Sequence, residues 1–118
     1  MSVTYWYSTG HATAVLSTLR HTLGCYARRA EWIKVGITRT PEIRFAAHQR
    51  EWAEGEEWDR MVVVYQTSSW RSACRVEDAL IRYARDCHYS EKLWNQVAGG
   101  GGRVPLGPGP YSVYLLTA

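Results

Sequence analysis

Cysteine is scarce in this chain: Cys25, Cys74 and Cys87 are the only three, and no C-x-x-C pair occurs among them. An odd, widely spaced set of that kind points away from a disulfide framework and from a zinc site. Long apolar runs are also missing. No stretch approaches the roughly 20 residues that a membrane-spanning helix needs, and the N-terminus lacks the pattern of a signal peptide. The expected location is therefore cytoplasmic, with no membrane partner. Lysine is rare as well: Lys34 and Lys92 are the only two among fourteen basic residues. Such an arginine-heavy balance suits bidentate phosphate contacts, and codon bias in a GC-rich genome accounts for it equally well. No internal repeat is visible.

What is present is a mildly basic globular composition. The 118 residues carry a net charge of +3, 46% hydrophobic residues, six tryptophans and eight tyrosines, with a pI of about 8.9. That length bounds the chain to a single domain, 1–118, with one modest core. The charge permits nucleic-acid binding without demanding it.

Val3 to Ser8, VTYWYS, is short, aromatic and β-prone, and reads as a strand ended by Gly10. Residues 11–24 have helical spacing in Val15, Leu16, Leu19 and Leu23, with Gly24 as the stop. Around this helix Arg20, His21, Arg28 and Arg29 form either a phosphate-contacting patch or a solvated basic face. Ile33, Val35 and Ile37 alternate with Trp32, Lys34 and Gly36, the period of a half-buried strand whose glycine allows close approach to the backbone. Thr40 then offers an N-cap hydroxyl and Pro41 fits the first helical position. Arg44 and His48, four apart, are neighbours on the helix that follows. Residues 49–60 read as a helix end and loop. Met61 to Thr67 is a continuous apolar run, expected as the central, best-covered strand. Tyr111 to Leu116 is expected as a last strand at a sheet edge, after the Gly/Pro-rich segment 99–110, which reads as a mobile loop carrying Arg103.

Between the last two strands lies the most regular pattern in the chain. From Ser69, the expected N-cap, to Cys87, a wheel of 100° per residue aligns Ala73, Val76, Leu80, Ala84 and Cys87 on one stripe. Arg71, Arg75, Asp78, Arg82 and Asp86 fall opposite, where Asp78–Arg82 and Arg82–Asp86 are four-spaced pairs. Glu77 breaks the pattern, because it lies on the apolar stripe. A carboxylate there needs a cation or hydrogen bonds. Two readings stay open: a structural salt bridge to an arginine, or a metal ligand.

Taken in order, K-V-G-I-T at 34–38, P-E-x-R at 41–44 and His48 resemble the second half of the signature of the GIY-YIG nuclease superfamily, in a variant with Lys34 where many members have a second tyrosine. The family joins its first two strands by a short hairpin, whereas here the 11–24 helix lies between them. The resemblance implies an α/β fold with a small antiparallel-rich sheet of three or four strands flanked by helices. It also implies a metal-dependent endonuclease acting on DNA in preference to RNA. Tyr5, with Tyr7 as the alternative, would be the general base on the attacking water. Lys34 would lower the phenol's pKa, which otherwise stands near 10. Arg44 would clamp phosphate oxygens, His48 would orient the tyrosine or relay a proton, and Asn95 matches the family's late active-site asparagine. Glu77 would hold one Mg²⁺ or Mn²⁺. Arg28, Arg29, Arg39 and Arg103 are the candidate nucleic-acid contacts. Low sequence specificity follows from the small surface, unless the chain forms a homodimer. The alternative is a catalytically inactive nucleic-acid-binding or interaction domain on the same fold.

Overall fold

The structure is a computed structural model that describes residues 2–52, 57–87, 89–95 and 107–118. Arg103 lies outside these residues, as does most of the Gly/Pro-rich segment. Among the described residues four strands, β1 (Ser2–Ser8), β2 (Ile33–Thr38), β3 (Arg60–Thr67) and β4 (Tyr111–Thr117), form one sheet in the order β1-β3-β4-β2. Helices α1 (Ala12–Ala27) and α3 (Trp70–Asp86) cover one face, and α2 (Pro41–His48) lies on the other. This is the expected α/β class. The sheet is mixed: β4 runs antiparallel to both β2 and β3, while β1 runs parallel to β3. Among the described residues no helix is long and apolar enough to cross a membrane.

Local chemistry explains most element boundaries. Gly10 has φ +105, a left-handed conformation that glycine adopts without a Cβ clash, and it turns the chain from β1 into α1. Its carbonyl accepts a hydrogen bond from the Tyr65 hydroxyl at 2.6 Å. Pro41 occupies the first turn of α2, although the Thr40 hydroxyl makes no capping bond. Ser69 does cap α3, its Oγ accepting from the Ser72 N–H at 3.1 Å. The Asp78–Arg82 pair forms at 2.9 Å on the exposed side of α3, where such a pair contributes a few tenths of a kcal/mol.

Two expectations are corrected. Gly24 does not stop α1, which continues to Ala27 because Leu23 and Ala27 extend its buried stripe. Gly24 is a packing residue there: a Cβ would stand 3.4 Å from the Tyr89 hydroxyl. The last strand, β4, is not at an edge. It lies between β3 and β2 and is buried along its whole length, as its Val113, Leu115 and Leu116 demand. β3 is interior, as its continuous apolar run requires.

The sheet edges are β1 and β2. The β2 edge is covered by residues 92–95: the Ile33 N–H donates to the Lys92 carbonyl at 2.9 Å, and the Trp94 N–H to the Ile33 carbonyl at 2.8 Å. Capping an edge in this way removes a template for unwanted strand pairing.

Candidate functional site

Alternation along β2 sends Ile33 and Val35 into the core beneath α1 and α3. Lys34 and Gly36 therefore face the α2 side. Gly36 pairs directly with Tyr114 of β4, and the tyrosine ring lies across it. The Tyr114 hydroxyl also shares a 2.6 Å hydrogen bond with Nε2 of His48. His48 is 2% exposed, so its imidazole is a buried partner of a phenol. The close approach that Gly36 permits is thus made by Tyr114, an aromatic packed over a strand glycine.

Tyr5 lies on the same face, since Val3, two residues before it, packs with Phe45 and Tyr114. Its hydroxyl donates a short hydrogen bond to Glu42 in the first turn of α2. Partial burial, that bond and the negative charge of Glu42 push the phenol up to about 12, and the bond holds the Glu42 carboxyl below its usual range. The direction is opposite to that of a general base. Lys34 is not beside this phenol in the sheet: β3 and β4 separate β1 from β2, three strand spacings or about 14 Å. The separation follows from α1, which makes β1-to-β2 a crossover instead of a hairpin. We expect Glu42→Gln to lower the Tyr5 phenol only part of the way from about 12, because burial, the largest cause, remains; the change is read as the tyrosinate absorbance that Tyr5→Phe removes. The raised phenol pKa favours the folded state below about pH 10, and this is lost as pH rises through about 12.

Arg44 is exposed on α2, beside the stripe of Pro41, Phe45 and His48 that faces the sheet. Tyr7 is exposed near the end of β1. Both polar atoms of the Asn95 amide are engaged with Val35, whose N–H donates to Oδ1 and whose carbonyl accepts from Nδ2, each at 2.9 Å. Asn95 extends the covered edge of β2 by two more ladder bonds.

Glu77 lies elsewhere. It is 3% exposed on α3, in the helix face that packs Ala73, Val76, Leu80 and Ile81 into the α1/α3 core. The sheet therefore stands between Glu77 and the face of Tyr5, Lys34, Arg44 and His48. Hydrated Mg²⁺ or Mn²⁺ needs six oxygen ligands, several of them waters. An enclosed helix position between aliphatic neighbours does not fit such an ion. Among the described residues no group of three or more histidine, cysteine, aspartate or glutamate side chains could hold a metal.

A different set of residues comes together between α1 and the β1–β3 edge. An open cleft of about 820 Å³ is lined by Trp6, His21, Cys25, Arg28, Arg29 and Arg60, with Asp59 and Val62. Thr18, Thr22 and Cys25 are spaced along one side of α1 next to its buried stripe of Leu19, Leu23 and Ala27, and Arg29 follows in the turn after the helix. The Arg28 Nε donates to the Gly24 carbonyl at 3.1 Å, and His21 Nε2 lies 3.6 Å from Cys25 Sγ. Arg20 leaves this group, its guanidinium lying 5.9 Å from the Tyr83 ring centre. Arg39, at the far end of β2, packs near Gly107, so it shares no surface with Arg28 and Arg29. Trp6 and Arg60 carry no motif; the signal that could have found Trp6 is strand alternation, which puts it on the face opposite its neighbour Tyr5. Tyr114 carries no sequence signal and Glu42 stands in P-E-x-R without a role of its own, because what they do rests on neighbours distant in sequence.

Comparison with known proteins gives no relative: no family model, no curated protein and no solved structure matches this chain.

Proposed function

We propose that this protein is a nucleic-acid-binding domain that holds the phosphate backbone at the cleft between α1 and the β1–β3 edge. The observation that carries the reading is the gathering of Arg28, Arg29 and Arg60 around one open cleft where, among the described residues, Asp59 is the one acidic side chain in the lining. Guanidinium groups bind phosphate oxygens through paired N–H donors and keep their charge at any physiological pH.

Titration of a labelled oligonucleotide at increasing salt tests this. If each of the three arginines neutralises one phosphate of a single strand, log K should fall against log salt with a slope of about −2. Arg29→Ala should weaken binding about tenfold at low salt and reduce the slope by about 0.7. Binding that ignores both salt and Arg29→Ala would refute the reading.

A second reading, a metal-dependent endonuclease, draws on the shared sheet face of Tyr5, Lys34, Arg44 and His48. It requires Tyr5 to be released from Glu42 and a cation held by a residue other than Glu77. Plasmid nicking in Mg²⁺ or Mn²⁺ that disappears in folded Arg44→Ala would establish it over the first.

A further inference from the structure

We infer that the α1 cleft accepts an unpaired nucleobase stacked on Trp6, with the neighbouring phosphates on Arg28, Arg29 and Arg60, so that the domain prefers single strands to duplex. This rests on the nucleic-acid reading above and assigns the ligand class of that same cleft. Trp6 is the most exposed large apolar side chain among the described residues, at 78%. An exposed indole face is a platform on which a base can stack. Here it lies in the mouth of a basic cleft, and every base has a flat face to offer it.

The geometry orders the two contacts. β1 and β3 run parallel, with Ser2 paired to Arg60, and α1 returns alongside them in the opposite direction. Arg28, Arg29 and Arg60 therefore lie at the end where β1 and β3 begin, while Trp6 lies four residues further on, about 13 Å along the strand. A base on the indole has its flanking phosphates directed along the cleft toward the arginines. A cleft of about 820 Å³ is within the range of small-ligand sites and takes a nucleotide or two, not a duplex. In duplex, moreover, the faces that Trp6 would cover are already occupied by neighbouring bases.

The test uses the full chain with three probes: a short oligothymidylate, an abasic strand of equal length and charge, and a duplex. Oligothymidylate should bind about tenfold or more tightly than the abasic strand, and Trp6→Ala should remove that difference while leaving Trp6→Phe with part of it. Because Cys25 lines the cleft and is exposed, while Cys74 is buried and the half-buried Cys87 lies outside the cleft lining, bound oligothymidylate should also slow alkylation of the Cys25 thiol, read on its own peptide, and leave Cys87 unchanged. Equal binding of thymidylate and abasic strands, or tighter binding of duplex, overturns the inference and leaves the phosphate reading standing. No binding of any probe overturns both. A concentration-dependent dimer that Trp6→Ala abolishes, with oligonucleotide binding unchanged, would assign the indole to a second copy and likewise overturn the inference.

Discussion

Gly36→Ala should lower the stability of the folded chain by about 3 kcal/mol, near the upper end for an overpacked interior. The new Cβ would stand 2.3 Å from the Tyr114 hydroxyl oxygen, 2.4 Å from Cζ and 3.0 Å from Cε2. None of these atoms can step aside easily. The phenol is buried, packed with Phe45, Met61, Val63 and Leu116, and hydrogen-bonded to the equally buried His48. Either the ring leaves His48, stranding a buried polar group at a cost of about 1–3 kcal/mol, or β2 moves away from β4 along their pairing. Urea unfolding measures the effect as a fall in midpoint at unchanged slope. Shortening the neighbour should partly rescue it: Gly36→Ala with Tyr114→Leu should be less destabilised than the sum of the two single changes, with a coupling of about 1–3 kcal/mol. Additive losses would mean that the ring does not lie over the glycine. Because the cleft of Arg28 and Arg29 is on the other face of the sheet, oligonucleotide binding by the folded fraction should survive the substitution.

Trp58→Ala should cost about 3–5 kcal/mol, a large share of the roughly 5–15 kcal/mol that keeps a domain folded. Trp58 is 0% exposed and belongs to the α2-side core. It meets Trp52 edge-on at 5.0 Å and Trp94 at 5.2 Å, while Trp52 and Trp94 lie 4.8 Å apart and Trp32 reaches Trp94 at 5.6 Å. Four of the six tryptophans thus form one cluster. Its backbone is held too: the Gln49 amide accepts from the Trp58 N–H at 2.7 Å and donates to its carbonyl at 2.8 Å. Trp58→Phe should be far milder, at about 1 kcal/mol. It keeps the edge-on ring and removes an indole N–H that is buried without a hydrogen-bond partner among the described residues. Near-ultraviolet circular dichroism should show the cluster signal lost in Trp58→Ala and reduced in Trp58→Phe. A small effect of Trp58→Ala would show that the cluster does not anchor α2 to the sheet.

Both predictions concern the α2 side of the sheet, and there sequence and structure agree in part and diverge in part. VTYWYS, IKVGIT and MVVVYQT were recognisable as strands, and Pro41 and Ser69 marked helix starts. These signals are local: side-chain alternation, a fixed proline φ and a capping hydroxyl act within a few residues. The oddity of Glu77 on an apolar stripe was equally legible, and it is buried. Its convergence with Tyr5, Lys34, Arg44 and His48 was not decided locally.

Alternation determined by itself that Trp6 faces away from Tyr5 and that Lys34 faces away from Val35, because a strand repeats every two residues. Helical spacing likewise placed Glu77 with Ala73 and Leu80. Only the tertiary structure decided that β1 joins β3 while β2 joins β4, and hence that the sheet stands between Glu77 and Arg44. Strand order is set by which crossover buries the most apolar surface over contacts tens of residues apart, a sum that no window of sequence contains.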